Sequence, residues 1–381
     1  MESKETSLGK KPYKFVPLTE SIEREKFTHH NEYSKNTFSG KIDITIKTLT
    51  PIHIGQGTYE IKGGKAVKSF IKRNGKLVIP GSSIKGMLRS IYEAITPSCT
   101  PKLPNSFRPL EAALPNKKED VCTGGDEQLC PSCSVFGTTN GVFGYKCKLR
   151  ISEFNIYSIL KNNTEDISLP NFQQPFKPYP NNNKLKIFVD YYNKKGKRDY
   201  GNERLYYADF FGKNEGKYDG FTKGEYFRKV EEQGIHRPIK FRGRKFYLHN
   251  VNYQEQGNSK GCILYEMVKK DVEFNGSINF ENLTERELSA LCVALGIGSS
   301  YKFKIGYGKP AYFGSIEIKV NNVVDYKQRY TGKSTISMEL LEEMANKYKY
   351  GCNSDIKVAL EKLEDILSNT ASGPKWPNKC Y

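Results

Sequence analysis

Hydrophobic and polar residues alternate in several stretches of the chain, and this period of two predicts strands with one buried face. The alternating stretches cover residues 41–48, 145–151, 272–280 and 316–320. In the first of them Ile42, Ile44 and Ile46 share one face while charged and polar residues occupy the other. A shorter extended stretch is predicted at residues 76–79, directly before a proline-glycine break.

Two amphipathic helices are predicted between these strands. After the proline-glycine break, Ser82 or Ser83 is expected to cap the first helix, whose apolar residues recur at helical spacing over 84–95. A capping box at Thr284–Glu287 begins the second helix, which Gly296 ends. The order strand, helix, strand, insertion, strand, helix, strand predicts an α+β fold with a ferredoxin-like or RRM-like βαββαβ core, large insertions and a C-terminal helical appendage.

The chain is expected to divide around this core, with weak periodicity marking the long central insertion. The predicted segments are an N-terminal arm at 1–37, a first half of the core at 38–154 with a glycine-rich loop and a zinc-binding insertion at 97–137, an insertion at 155–262, a second half at 263–325, C-terminal helices within 326–368 and a tail at 369–381.

The charge balance favours a polyanionic partner. Sixty Lys and Arg residues against 42 Asp and Glu residues leave a net charge of +18, and such an excess is typical of proteins that bind RNA or DNA. A solvated basic surface without a partner is the alternative.

No apolar run reaches the roughly 18 to 20 residues of a membrane-spanning helix, and the N-terminus lacks the apolar stretch of a secretion signal. We therefore expect a cytoplasmic protein that binds no membrane.

Four of the nine cysteines cluster in the pattern C-x22-C-x7-C-x2-C. In such a pattern a C-x2-C turn supplies two thiolates to one tetrahedral ion and more distant cysteines complete its ligands. Four thiolates leave no open position for catalysis, so the sequence predicts structural zinc; chance proximity is the alternative. The predicted ligands are Cys99, Cys122, Cys130 and Cys133.

Basic, hydroxyl and glycine residues combine in four places that could hold a phosphate backbone. At the first helix start, Ser82, Ser83, Lys85 and Arg89 would flank free backbone amides, although an ordinary capped helix with solvated cations would have the same sequence. Two glycine-rich runs and one basic segment add cations and rings for phosphate and base contacts. Their candidate residues are His53, Gly55, Gly57, Lys302, Lys304, Tyr307 and Lys309, with Arg237, Arg242, Arg244 and Lys245 in the basic segment.

The segments TPIHIGQG, VIPGSSIKGMLRSIYEAI, CPSCSVFG and RGRKFYLHN, with the C-terminal glycine-rich loop, resemble the RAMP superfamily of CRISPR-associated proteins. The likeness is strongest to type III backbone subunits that hold crRNA, and within them to the insertion-bearing proteins of type III-D-like systems. The resemblance implies an RRM-like palm that grips crRNA, a thumb-like role for residues 155–262, and structural zinc. It implies crRNA, target RNA, other RAMP subunits and the large polymerase-like subunit as partners in antiviral defence.

One position departs from the family pattern. Target-cleaving members carry a loop aspartate that promotes metal-dependent cutting, and alignment by eye places Lys68 there, where it becomes a further candidate RNA contact. Between residues 55 and 80 the only carboxylate is Glu60. We therefore expect a crRNA-binding subunit without cleavage activity. The alternative is an endoribonuclease, either Mg²⁺-dependent and acting through Glu60 or an aspartate of the insertion, or a repeat-processing enzyme that uses His53 as acid or base.

Overall fold

The computed structural model describes residues 12–19, 21–32, 34, 36–99, 122–140, 143–157, 163–168, 208–209, 240–241, 243–252 and 263–371. Its strands are β1 (Tyr13–Val16), β2 (Glu25–Lys26), β3 (Phe38–Thr48), β4 (Glu60–Lys62), β5 (Lys65–Ser69), β6 (Lys72–Arg73), β7 (Lys76–Ile79), β8 (Gln128–Leu129), β9 (Thr138–Asn140), β10 (Phe143–Tyr145), β11 (Leu149–Ile151), β12 (Phe154–Ile156), β13 (Thr164–Ser168), β14 (Ala208–Asp209), β15 (Lys240–Phe241), β16 (Arg244–Tyr247), β17 (Ile263–Val268), β18 (Glu273–Leu283), β19 (Lys302–Lys304) and β20 (Ser315–Asp325). Its helices are α1 (Gly81–Ala94), α2 (Pro131–Phe136), α3 (Glu285–Ala294), α4 (Gln328–Thr331), α5 (Met338–Gly351) and α6 (Ser354–Ser368).

The largest sheet has the strand order β19-β20-β3-β18-β12-β7-β6, and β11 also pairs with β18. Strand β3 is antiparallel to both β18 and β20. Helix α1 lies in the chain between β3 and β11, and α3 lies between β18 and β20. The predicted α+β class is thereby confirmed. The four strands predicted from alternation are neighbours in the sheet, in the order β20, β3, β18, β11.

The core lies between this sheet and the helices. Ile42 and Ile46 of β3 are completely buried, and Leu88 of α1 joins the same cluster. Both predicted C-terminal helices are present, and Leu341 of α5 and Leu363 of α6 pack into this core as well. Among the described residues, no helix has the length and apolar character needed to cross a membrane.

Helix α1 begins earlier than predicted, because its N-cap lies two residues before Ser82 and three before Ser83. Pro80 is the N-cap, no side chain caps the helix, and the Pro80 carbonyl accepts the Ser83 amide at 2.9 Å. The prediction that Ser82 or Ser83 caps the helix is therefore wrong, and both lie in its first turn. The early start also needs Gly81, because a Cβ there would lie 2.2 Å from the Ile151 carbonyl oxygen.

The predicted strand at 145–151 is divided between β10 and β11. The chain turns at residues 146–148, and Lys148, which shares the basic face of this alternating segment with Lys146 and Arg150 in the sequence, is only 3% exposed. Its Nζ donates to the Glu287 carboxylate at 2.8 and 2.9 Å. The same carboxylate accepts the Thr284 amide at 2.9 Å, while Thr284 Oγ1 accepts the Glu287 amide at 3.2 Å. The capping box is thus confirmed, and its Glu287 carboxylate also neutralises the buried Lys148.

Candidate nucleic-acid interface and metal centre

The two glycine-rich loops, predicted from distant parts of the sequence, pack against each other. The Tyr307 amide donates to the His53 carbonyl at 2.8 Å, and the Gly314 amide donates to the Pro51 carbonyl at 2.9 Å. Gly306 has a φ of +79°, and a Cβ there would lie 2.3 Å from the His53 carbonyl oxygen. Only glycine permits both the backbone conformation and this close approach. The loops therefore form a single surface.

Lys68 lies on this surface between two exposed aromatic rings, in a group that we call the Lys68 cluster (Tyr59, Lys68 and Tyr307). It belongs to β5, in a second sheet with the order β13-β17-β5-β4. Its Nζ lies 4.1 Å from the ring centroid of Tyr307 and 4.9 Å from that of Tyr59. Tyr307 is 44% exposed and Tyr59 is 64% exposed. The cluster offers a cation for phosphate and two ring faces for bases.

The protonation of Lys68 follows from these neighbours. Burial lowers the pKa of the Lys68 ammonium, but hydrogen bonds to the hydroxyls of Tyr59 and Tyr307 outweigh it, so the pKa lies above its ordinary value. Lys68 therefore stays cationic at neutral pH. Gly55 and Gly57 are exposed on the adjoining loop, where the absence of side chains leaves room for a backbone to approach.

His53 lies below the surface. Its side chain is completely buried, neither ring nitrogen has a hydrogen-bond partner, and the ring meets Phe70 edge-on at 5.7 Å. Burial, and secondarily the charge of Lys68, lowers the pKa of His53 to about 4. The imidazole is thus neutral at neutral pH and shielded from a ligand bound to the loops.

The helix start also faces solvent in part. Ser82 is exposed, while Ser83 and Lys85 are partly exposed, so the first turn of α1 presents hydroxyls, a cation and the amide groups that lack intrahelical partners. Phosphate binding at this helix start stays a prediction. Arg237 and Arg242 lie outside the described residues.

Two predicted cations near the second loop have partners within the protein. Lys302 forms an ion pair with Glu317. Lys304 is buried and its Nζ donates to two loop carbonyls at 2.8 and 3.2 Å, and burial holds its pKa well below the ordinary value. Lys309 is half-buried, and burial lowers its pKa. Since Lys302 is paired with an acid and Lys304 is buried, these two contribute less to the external field than their formal charges suggest.

Glu93 neutralises two further predicted RNA contacts. Its Oε1 accepts Arg89 Nε at 2.8 Å, and its Oε2 accepts an Arg244 guanidinium nitrogen at 2.6 Å. The Glu93 side chain is only 9% exposed, so these are partly buried, charge-assisted hydrogen bonds. Sequence reasoning missed Glu93, although its spacing of four residues from Arg89 on one helix was a usable signal.

The clustered cysteines come together in a buried group, as their spacing predicted. Their sulfur atoms all lie within 4.8 Å of one another, and the group consists of Cys99, Cys122, Cys130 and Cys133. Cys99 Sγ lies 3.6 Å from Cys133 Sγ and 3.5 Å from Cys130 Sγ. A tetrahedral ion with Zn–S bonds of about 2.3 Å separates its sulfur ligands by about 3.8 Å. The four side chains therefore fit one metal ion.

Backbone groups help to position the four cysteines. Cys130 is the N-cap of α2 and Pro131 follows it at the first helical position, which turns the chain tightly between Cys130 and Cys133. The Cys130 amide donates to Cys122 Sγ at 3.2 Å. Hydrogen bonds from the neighbouring thiols, first that of Cys130, lower the pKa of the Cys122 thiol. Within the described part of the chain, this is the only group of three or more His, Cys, Asp or Glu side chains placed to share a metal.

Comparisons with known proteins give one family match. A family model described as RAMPs, RAMP superfamily, matches residues 45–317, which is more than half of the chain and includes both glycine-rich loops and the cysteines. No curated protein matches the chain by sequence. A solved structure titled "Type IV-B CRISPR Complex" aligns over 74% of this chain and 90% of that chain, with 13% identity and a TM-score of 0.32. That similarity is too low to carry an argument.

Proposed function

The chain belongs to the RAMP superfamily, and from this premise we propose that it is a crRNA-binding subunit of a type III CRISPR effector complex. It holds guide RNA and the guide–target duplex and does not cut them. The observation that carries this proposal is the Lys68 cluster, where a cation lies between two exposed rings at the junction of two glycine-rich loops. The net charge of +18 supports the same conclusion.

The cluster suits a strand that is held by its backbone. The ammonium of Lys68 binds a phosphate, and the rings of Tyr59 and Tyr307 stack on bases of any identity. Gly55 and Gly57 let the chain approach the ribose-phosphate backbone. Guide sequence is read by base pairing, so this subunit needs no sequence preference of its own.

The lack of cleavage follows from the charge at one position. Lys68 stands where the family resemblance places the aspartate of target-cleaving members, and a cation there repels Mg²⁺. Glu60, on the neighbouring strand β4, accepts a hydrogen bond from Gln56 and pairs with Lys62 at 3.5 Å. An endoribonuclease that acts through Glu60 and Mg²⁺ is the alternative function. His53 is a weaker candidate, because its ring is buried.

We also propose that the four cysteines hold a structural zinc ion. When bound, zinc supplies folding free energy to a loop with a small core of its own, in which Leu129 and Tyr145 pack against the thiols. All four ligand positions are filled by protein, so the site has no place for a substrate. Elemental analysis of the purified chain, with one zinc per chain expected, tests this assignment.

The proposed partners follow from the resemblance. They are crRNA, target RNA, other RAMP subunits and the large polymerase-like subunit, assembled in the cytoplasm for antiviral defence. The segment at 155–262, which the resemblance assigns to a thumb, lies largely outside the described residues, and its role remains a prediction.

RNA affinity of the Lys68→Ala variant tests the binding role. We expect fluorescence anisotropy with labelled crRNA to show binding about five- to tenfold weaker, and the slope of log K against log salt to fall by about 0.7, because one phosphate contact is lost. Lys357→Ala, which removes the same charge from an exposed position on α6, is the matched control and should bind like wild type. An absence of measurable wild-type affinity at physiological salt would overturn the proposal.

Cleavage is tested with the same RNA. The chain is incubated with crRNA and complementary labelled RNA, with and without Mg²⁺, and we expect no products. Products that disappear in Glu60→Ala would establish the endoribonuclease instead.

A further inference from the structure

Glu93 lies where three segments of the chain meet. It belongs to α1, and its carboxylate binds Arg89 one turn earlier on that helix. Its Oε1 also accepts the Ser132 hydroxyl at 3.1 Å, and its Oε2 accepts Arg244 from β16 at 2.6 Å. The carboxylate therefore joins the proposed phosphate-binding helix, the cysteine turn and the basic strand in one hydrogen-bonded group.

The cysteine side of this group depends on the metal ligands. Ser132 lies between Cys130 and Cys133, and its amide donates to Ser98 Oγ at 3.0 Å, directly before Cys99 in the chain. Arg89 also donates to the carbonyl of Gly137, where α2 ends, at 3.3 Å. Both groups that hold Glu93 from this side are thus fixed by the fold of the cysteine turn.

The other side of the group is the start of the basic strand β16. The Arg244 side chain is 16% exposed, and the strand pairs with β1 in the register Val16 to Arg244. The next residue, Lys245, places its ammonium 4.2 Å from the ring centroid of Tyr13 and 4.5 Å from that of Tyr247. Because Lys245 directly follows Arg244 in β16, a displacement of Arg244 also moves this second cation.

We propose that Glu93 couples metal binding at the four cysteines to RNA binding by β16. The inference rests on the proposed RNA-binding function. With metal bound, the cysteine turn holds Ser132 in place, and Glu93 holds Arg244. Without metal the cysteine turn loosens, and the nearly buried Glu93 carboxylate loses its hydrogen bond from Ser132. Glu93 then no longer holds Arg244 in place, so β16 shifts. Because coupling between two ligands is reciprocal in binding free energy, bound RNA in turn raises the affinity of the cysteines for the metal.

The test uses the full chain, zinc and labelled crRNA. Removal of zinc by a chelator should weaken wild-type RNA affinity about tenfold. The zinc-loaded Glu93→Gln variant, which keeps the size of the side chain but not its charge, should show a similar loss, and removing its zinc should add less than about twofold. The substitution also frees the charges of Arg89 and Arg244, which by itself would strengthen phosphate binding, so a loss of affinity reports the displaced strand, and tighter binding would overturn the coupling. Glu281→Gln is the matched control, since Glu281 pairs with Arg150 on the exposed sheet; its affinity and its zinc dependence should equal those of wild type.

A second readout does not depend on RNA affinity. The zinc affinity is measured by equilibrium competition with a chromophoric chelator, with and without RNA. In wild type and Glu281→Gln we expect RNA to raise the zinc affinity about tenfold, the same factor by which zinc raises the RNA affinity, and in Glu93→Gln we expect no effect. This difference separates coupling from a general loss of stability, which would weaken zinc binding equally in both conditions.

The outcomes are distinguishable. If the zinc-loaded wild type binds no RNA, the proposed function itself fails. If it binds RNA and zinc removal leaves that affinity unchanged, the coupling is wrong and the proposed function stands. If the zinc-free chain unfolds, the zinc-loaded Glu93→Gln variant decides, because wild-type RNA affinity together with RNA-enhanced zinc affinity in that variant overturns the coupling. A purified chain without stoichiometric metal overturns it too.

Discussion

Replacing His53 with leucine should reduce the acid sensitivity of the folded chain. The imidazole is completely buried, and neither nitrogen forms a hydrogen bond, so leucine of similar volume removes no bonded partner. At neutral pH we expect the free energy of unfolding to change by less than about 1 kcal/mol.

The effect should develop as the pH falls. The pKa of His53 is lowered from 6.5 to about 4 by burial. Between these pH values the unfolded chain binds a proton at His53 that the folded chain does not, so acidification favours unfolding. A shift of this size corresponds to about 3 kcal/mol, which is fully present above the unfolded pKa and fully lost below the folded pKa.

Chemical denaturation of wild type and His53→Leu at about pH 7 and about pH 4 measures this difference. His249 has a pKa lowered to about 3 by burial, with Lys304 as the second cause, but it is present in both proteins and cancels in the comparison. We expect wild type to lose about 3 kcal/mol more than the variant. Equal losses in the two proteins would show that His53 is hydrated or bonded in solution, which would refute the reasoning.

Two further predictions follow from charge burial and from ring exposure. Lys148→Met leaves the Glu287 carboxylate without its cation, which should lower stability by about 3 to 5 kcal/mol, and adding Glu287→Gln to that variant should recover part of the loss. Thermal unfolding measures both effects, and a loss below about 1 kcal/mol would contradict a buried pair. Tyr307→Ala should weaken RNA binding by about 1 to 3 kcal/mol through lost stacking, whereas Tyr307→Phe keeps the ring and most of the affinity; unchanged affinity in the alanine variant would place RNA elsewhere.

Local patterns predicted the regular elements well. The alternation in β3 follows from its position between two strands, with one face on the core, and the spacing of apolar residues in α1 follows from the single face that it buries. The capping box at Thr284 is also a local contact, between residues three apart. The cysteine spacing was informative for a similar reason, because two of the four ligands belong to one tight turn.

The differences concern polar residues whose burial depends on how the chain folds back on itself. Lys148 lies on the basic face of an alternating segment, yet it is buried against a carboxylate 139 residues away, and no alternation pattern reveals such a pair. Lys304 was counted as a phosphate contact, although its ammonium bonds to loop carbonyls inside the protein. His53 was predicted as an RNA contact on a glycine-rich loop, but its side chain is completely buried and its carbonyl accepts the Tyr307 amide of the second loop.

The formal charge of the chain therefore overstates the number of phosphates that this surface can neutralise. Arg89 and Arg244 share the carboxylate of Glu93, and Lys302 pairs with Glu317. A cation that already has an acidic partner releases few counterions when a phosphate arrives, because the neighbouring carboxylate has compensated its charge. Lys68, which is held by neutral rings, keeps its full charge for the ligand. RNA binding by the described residues should accordingly show a shallow salt dependence, in which the loss of Lys68 has a disproportionate effect.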